Sequence, residues 1–138
     1  MKNLAFLITI ITSFVACAQQ TESSVKAETP ENVHYITETV VSDINIPWGM
    51  VQLPDGSMLI TEKAGALIHF KNGIKTSIQG VPEIYVRGQG GFLDIELHPN
   101  YSENGWIYFT YASEEGEGDG GNTALMRAKL NGNTLVEK

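Results

Sequence analysis

The segment best suited to chemistry is Arg87–Phe92, in which three glycines surround one glutamine. Glycine accepts backbone conformations that other residues avoid, so a run of glycines allows a sharp turn and a close approach to another group. The Gln89 amide offers both a hydrogen-bond donor and an acceptor, and a sugar hydroxyl does the same. The segment therefore predicts either a turn that presents Gln89 to a hydroxyl-rich ligand or a tight connection without a ligand.

The histidines and the acidic residues are the other candidates for chemistry. His34, His69 and His98 show no H-x-x-x-H spacing and have no carboxylate at helical distance, so we interpret each as a structural or surface residue. His98 precedes Pro99, which is typical of a turn residue. The tract Glu114–Gly121 offers oxygen ligands for calcium but lacks the D-x-[DN]-x-[DN]-G spacing, which favours a solvated loop.

The composition excludes several classes of partner and site. The 138 residues carry 9 Lys and Arg against 16 Asp and Glu, a formal net charge of −7, whereas nucleic-acid binders need a basic face. The single cysteine excludes an internal disulfide and any multi-cysteine metal site. A hydrophobic fraction of 42% suffices for a core, and 14 glycines indicate many turns. We predict a globular chain that does not bind nucleic acid.

The amino terminus predicts export and a lipid anchor. Lys2 precedes the apolar run Leu4–Ala16, which is too short to cross a bilayer as a helix but suits a secretory signal. The run ends at Cys17, and Phe14–Cys17 resembles a bacterial lipobox, in which the cysteine becomes the lipidated first residue of the mature protein. An ordinary signal peptide cleaved nearby is the alternative interpretation.

The lipoprotein interpretation divides the chain into three parts. Residues 1–16 are the predicted signal peptide, residues 17–34 the lipidated N terminus and flexible tether, and residues 35–138 the globular domain. Acyl chains on Cys17 would hold the protein at a membrane without a spanning helix. The predicted location is the cell envelope, either on the periplasmic side or anchored to the outer membrane.

Short apolar runs alternate with turn residues along the rest of the chain. Several runs alternate with period two, as half-buried strands do, and Asp55-Gly56 and Asn72-Gly73 are typical tight-turn pairs. The predicted strands are Tyr35–Val41, Trp48–Leu53, Met58–Glu62, Ala66–Phe70, Phe92–Leu97, Trp106–Tyr111, Thr123–Leu130 and Thr134–Val136. The chain is predicted to be all-β.

Two segments of the chain resemble each other. Gly49–Pro54 is echoed by Leu93–Pro99, each is followed by a turn and another apolar run, and the two final prolines lie 45 residues apart. A repeat of about 40–50 residues with about four strands is typical of a β-propeller blade, with two similar units of a sandwich as the alternative. Propellers close with 4–8 blades, which at this period needs at least about 160 residues. We expect only about two blades, so that the chain is an incomplete propeller.

An ordered series of motifs extends beyond this repeat. In its order and spacing, the series resembles the soluble quinoprotein sugar dehydrogenases, the glucose/sorbosone and aldose dehydrogenase family that uses pyrroloquinoline quinone (PQQ). The motifs that carry the resemblance are Ile46–Met50, Leu53–Gly56, Leu59–Glu62, Gly80–Ile84 and, above all, Gly88–Tyr101, followed by Asn104 and Ile107-Tyr108.

The resemblance implies a fold, cofactors and a site. Members of the family resemble six-bladed propellers with PQQ and calcium bound on one face, and the glutamine of the glycine-rich turn contacts the sugar, which assigns Gln89 to substrate binding. The histidine base, the cofactor ligands and the calcium ligands of the family would all follow Lys138, so no catalytic, cofactor or metal residue is assigned here. His98 matches a structural turn of the family and not that base.

The expected function follows from the resemblance. The chain would be the N-terminal part of an envelope quinoprotein that oxidises the C1 hydroxyl of aldose sugars by hydride transfer to PQQ and passes the electrons to an external acceptor. The fragment itself is expected to be inactive. Two alternatives remain open: a non-catalytic propeller lipoprotein that binds a glycan or a protein partner, and a short product without activity.

Overall fold

Residues 34–118 and 120–138 are described by the computed structural model, and Thr37–Lys138 forms one compact unit in it. The predicted signal peptide, Cys17 and nearly all of the predicted tether lie outside the described residues. Within the described part of the chain, no helix is long and apolar enough to cross a membrane.

The strands of the described residues form two four-stranded antiparallel sheets, in each of which neighbours in sequence are neighbours in space. The first sheet contains β1 (Pro47–Gln52), β2 (Met58–Glu62), β3 (Leu67–Lys71) and β4 (Ile74–Ser77). The second contains β5 (Phe92–Leu97), β6 (Trp106–Ser113), β7 (Asn122–Asn131) and β8 (Thr134–Val136). One helical turn, α1 (Tyr101–Asn104), joins β5 to β6.

Most of the predicted strands are present, with small shifts at their ends, and two differences have physical causes. Strand β4 is absent from the prediction because Ile74 is its sole apolar residue and is itself exposed; pairing with β3 makes it a strand. The prediction of a strand over Tyr35–Val41 is wrong, since these residues lie in no strand. Their side chains suit a strand, but a strand also needs a neighbour for its backbone hydrogen bonds, and β1 pairs with β2.

The core lies between the two sheets. Leu59 and Leu67 of the first sheet and Phe92, Ile95 and Phe109 of the second are fully buried in one cluster. The rings of Phe92 and Phe109 lie 5.7 Å apart between centroids. Each such side chain stabilises the fold by about 1.5–3 kcal/mol when it leaves water. The alternating strand positions therefore hold the sheets face to face, with β1 beside β5.

A close contact joins the first strands of the two sheets. A β-carbon at Gly49 would lie 2.9 Å from Asp94 Oδ1 and 3.0 Å from the Ile95 nitrogen, so a side chain does not fit there. The fully buried Thr61 hydroxyl donates to the Leu93 carbonyl at 2.6 Å and accepts from the Gly49 N–H at 2.9 Å. One hydroxyl thus connects β1, β2 and β5.

A second connection lies at the outer edge of the sheets. After β4, the Gln79 N–H donates to the Asn133 carbonyl at 2.8 Å, and the Leu135 N–H donates to the Gln79 carbonyl at 2.9 Å. Gln79 and Thr134 form a parallel bridge. The segment that leaves the first sheet therefore covers part of the free edge of β8.

Two antiparallel four-stranded meanders that pack face to face, with their first strands adjacent, have the arrangement of neighbouring propeller blades. The predicted all-β propeller fold is confirmed, with about two blades in this chain.

Candidate functional site

The ends of several strands meet at one edge of the two blades. The Lys63 N–H, just after β2, donates to the Ile46 carbonyl, just before β1, at 3.0 Å. The Phe92 N–H at the start of β5 donates to the Lys63 carbonyl at the same distance, 3.0 Å. The connection to β5 carries Gln89, so the predicted substrate-binding residue lies at this edge, which we call the Gln89 edge.

The turn that carries Gln89 is closed by backbone contacts. The Gly90 N–H donates to the Arg87 carbonyl at 2.8 Å, and Gly88 has φ of 56°, a conformation that favours glycine. A β-carbon at the buried Gly91 would lie 2.6 Å from the Lys63 carbonyl oxygen, so this position has no room for a side chain. The glycine pattern in the sequence therefore has a direct steric cause.

The Gln89 side chain is exposed, whereas the turn beneath it is fixed. No residue that the structure describes hydrogen-bonds the Gln89 amide, so its donor and acceptor face outward. An amide on a fixed turn can orient a ligand hydroxyl, because one group of the ligand meets both a donor and an acceptor. This is the chemistry that the sequence predicts for Gln89.

The charged groups near Gln89 have both signs. The Lys63 ammonium donates to the Gly88 carbonyl at 2.6 Å, and Arg87 Nη1 lies 3.5 Å from the Tyr85 hydroxyl. On the other side, a Glu62 carboxylate oxygen accepts from the Asn45 N–H at 2.6 Å.

His98 lies at the opposite edge of the blades and has a structural role. Its Nδ1 accepts from the Asn100 N–H at 3.0 Å and from the Asn104 side-chain amide at 2.8 Å, and its ring stacks on Tyr108 with centroids 6.1 Å apart. Both acceptor contacts belong to the turn that contains α1. His98 is therefore a turn residue, as the sequence predicts, and His34 is exposed.

The same opposite edge holds a polar network that the sequence does not reveal. Ser57 donates to Asp55 Oδ1 at 2.5 Å, Lys71 donates to Asp55 Oδ2 at 2.8 Å, and His69 Nε2 lies 2.8 Å from the Ser57 hydroxyl. Because the serine proton goes to the carboxylate, the imidazole does not activate this serine as a nucleophile. The hydrogen bonds, that from Lys71 above all, hold the pKa of Asp55 well below its usual range. The network fixes the turn between β1 and β2.

The acidic tract forms an exposed loop between β6 and β7. The Glu115 N–H donates to the Ser113 hydroxyl at 3.1 Å, and the Asn122 side chain donates to the Glu115 carbonyl at 3.4 Å. Within 34–118 and 120–138, no three His, Cys, Asp or Glu side chains are grouped as metal ligands.

The described residues do not by themselves make a cradle for an anionic quinone. PQQ carries carboxylates, which need several cations. At the Gln89 edge, the Lys63 ammonium already binds a backbone carbonyl, and the carboxylates of Glu62, Glu114 and Glu115 accompany the guanidinium of Arg87. We derive no chemical step through the cofactor from these residues.

Lys63 is the site-related residue that the sequence analysis misses. It follows the motif Leu59–Glu62 and is separated from Gly88 by 25 positions. No local pattern connects the two residues, because the packing of the blades brings them together.

Comparison with known proteins gives a consistent result. Residues 44–138 match the sequence model of the family described as Glucose / Sorbosone dehydrogenase. Aldose sugar dehydrogenase YliI of Escherichia coli is 34% identical over 96 residues, which cover 67% of this chain and 26% of that protein. Quinoprotein glucose dehydrogenase B of Acinetobacter calcoaceticus is 33% identical over 79 residues, which cover 53% of this chain and 16% of that protein. The chain thus spans about a quarter or less of these relatives.

A solved structure is similar over both blades. The PQQ-bound form of aldose sugar dehydrogenase from Streptomyces coelicolor superposes with a TM-score of 0.62 at 27% identity, over 74% of this chain and 31% of that one.

Proposed function

The chain belongs to the glucose/sorbosone dehydrogenase family, and we propose that it is the N-terminal part of an envelope enzyme that oxidises the C1 hydroxyl of aldose sugars with PQQ as electron acceptor. The family resemblance predicted from the motifs is confirmed. The substrate and the cofactor of this chain remain part of the proposal.

The observation that carries the proposal is the Gln89 turn. Its glycines hold an exposed, unpaired amide at the start of β5, inside the segment that matches the family. In the proposed enzyme, Gln89 donates to one sugar oxygen and accepts from a sugar hydroxyl, and so orients the ring. PQQ, when bound, supplies the hydride acceptor, and an external electron acceptor reoxidises it.

The remaining machinery belongs to residues that this chain does not contain. The chain covers 26% of the Escherichia coli relative. We therefore place the histidine base, the quinone ligands and the calcium ligands beyond Lys138, and we expect residues 1–138 alone to be inactive.

The proposal also includes the envelope location. The Phe14–Cys17 motif supports a lipid anchor on Cys17, with residues 1–16 removed and 17–34 as the tether. We expect labelled palmitate to be incorporated into the protein made in its native host, and Cys17→Ser to abolish the label and release the protein from membranes. A Ser23→Ala variant serves as the matched control, and labelling that persists in Cys17→Ser would contradict the anchor.

Two measurements test the enzymatic proposal together. The transcript is sequenced beyond codon 138, and the longer product is purified, supplied with PQQ and calcium, and assayed with aldoses and an artificial electron acceptor. We expect an open reading frame and a reduction rate that depends on sugar and on PQQ. A loaded longer product that reduces no acceptor with any aldose would support the non-catalytic glycan- or protein-binding propeller instead. A stop codon after Lys138 would support the short, inactive product.

A further inference from the structure

We propose that Lys63 is a positioning residue, whose ammonium holds the Gly88–Gln89 peptide so that the Gln89 amide faces the substrate. This inference rests on the proposed function for its catalytic meaning, but its structural part stands on the contacts of Lys63 alone.

Lys63 contacts both ends of the Gln89 turn. Its ammonium donates to the Gly88 carbonyl at 2.6 Å, at the entry to the turn. Its backbone carbonyl accepts from the Phe92 N–H at 3.0 Å, at the exit. The buried Gly91 packs directly on the Lys63 carbonyl and on the aliphatic part of its side chain. Lys63 thus forms the floor on which the turn rests.

The position of Lys63 is fixed from the first blade. Its N–H donates to the Ile46 carbonyl at 3.0 Å, and it directly follows β2, whose Thr61 is fully buried between the blades. The Lys63 backbone therefore moves with the blade core, and its side chain transfers that rigidity to the turn.

The contact with Gly88 acts on the peptide that matters most for Gln89. The Gly88 carbonyl belongs to the same peptide plane as the Gln89 N–H, so a bond to this oxygen restricts the rotation of that plane. Closure of the turn by Gly90 and Arg87 leaves this plane free, because their bond joins other groups. A charged donor on a carbonyl is a stronger hydrogen bond than a neutral one. Without the ammonium, the turn would persist but the direction of the amide would vary.

The structural part is tested on the purified chain by amide hydrogen exchange. In Lys63→Met, which keeps the aliphatic stem and removes the donors, we expect the Gly90 and Phe92 amides to exchange about five- to twentyfold faster. Lys63→Arg should restore most of the protection. Lys75→Met is the matched control, because the Lys75 ammonium also binds backbone carbonyls, those of Ser42 and Asp43, but away from the turn.

The catalytic part is tested on the longer, PQQ-loaded product. We expect Lys63→Met to raise KM for aldoses about three- to tenfold with kcat changed less than about twofold, since it weakens substrate orientation and leaves the reacting groups in place. Lys63→Arg should recover KM, and Lys75→Met should leave it unchanged.

Wild-type exchange rates in Lys63→Met would overturn the inference, as would a KM increase shared equally by Lys75→Met. Failure of the proposed function has a different mark, a Gln89→Ala variant with unchanged KM. In that case the exchange comparison still decides whether Lys63 holds the turn.

Discussion

Polar side chains at the two edges of the blades are held to different degrees. At one edge, Asp55 binds Ser57 and Lys71, and each group is fixed by its partners. At the other, the Gln89 amide is exposed while only its backbone is held. A saturated group stabilises a turn, whereas an unsaturated group on a fixed turn is available to a ligand. The residue scale thus separates the structural edge from the candidate binding edge.

Replacement of Gln89 by Ala in the longer, loaded product tests the binding role. The loss of one or two hydrogen bonds to the sugar should lower kcat/KM for aldoses by about 5- to 150-fold, which corresponds to about 1–3 kcal/mol. Gln52→Ala is the matched control, since Gln52 is exposed and makes its contact, with the Gly56 carbonyl, at the opposite edge. Steady-state kinetics with several aldoses measure the effect, and equal values for both variants would remove Gln89 from the site.

The lowered pKa of Asp55 predicts a pH dependence of stability. Because the folded-state pKa lies below the unfolded value of about 3.9, the contribution of Asp55 is fully present above that value and disappears as the pH falls through the folded-state pKa. Asp55→Asn should therefore lower the unfolding temperature near pH 7, and the difference from wild type should vanish toward pH 2. Thermal unfolding followed by circular dichroism measures it. A difference independent of pH would show that the ionised carboxylate is not responsible; Asp43→Asn controls for the loss of a surface charge.

At the scale of elements, the bond from Thr61 across the blades makes the first strands dependent on each other. Thr61→Val keeps the shape but leaves the buried Gly49 N–H without its acceptor and the Leu93 carbonyl without its donor. We expect the free energy of unfolding to fall by about 1–3 kcal/mol.

Thr76→Val is the matched control for this variant, because Thr76 lies on the outer strand β4 and its hydroxyl binds no described residue. Denaturant titration compares the two. Equal stability of Thr61→Val and wild type would mean that packing alone joins the blades.

The elements also show how far the sequence could be read. Strands with alternating apolar residues, such as Trp106–Ser113, are predictable because their period matches burial on one face. Strand β4 is not, because pairing with β3 and not its own pattern creates it. Gln89 is predictable because its glycines mark a turn locally. Lys63 and the Ser57–His69 contact are not, since residues distant in sequence meet only after the sheets form.

At the scale of the whole molecule, the first blade has an exposed apolar face. Met50 and Val40 are each 62% exposed and Trp48 is 46% exposed. They line a groove of about 320 Å³ on the side of β1 that faces away from the second blade. In the proposed complete ring, another blade would cover this face.

The chain of 138 residues should therefore self-associate, because a contiguous exposed apolar patch promotes association. Met50→Glu should shift the protein toward the monomer in sedimentation velocity at micromolar concentration. Ile74→Glu is the matched control, since Ile74 is 66% exposed but lies on the outer strand β4, away from the groove. Identical sedimentation of the two variants would show that the groove does not drive association.

The bridge between Gln79 and Thr134 has a consequence for the order of events during synthesis. A ribosome releases the residues around Gln79 long before those of β8, so the segment after β4 waits with an unused backbone donor and acceptor until Asn133 and Leu135 emerge. Strand β8 then adds to two templates at once, β7 from its own blade and Gln79 from the connection. Each finished blade is thereby secured by a piece of chain translated before it, and this would let a growing ring of sheets protect its newest edge while translation continues.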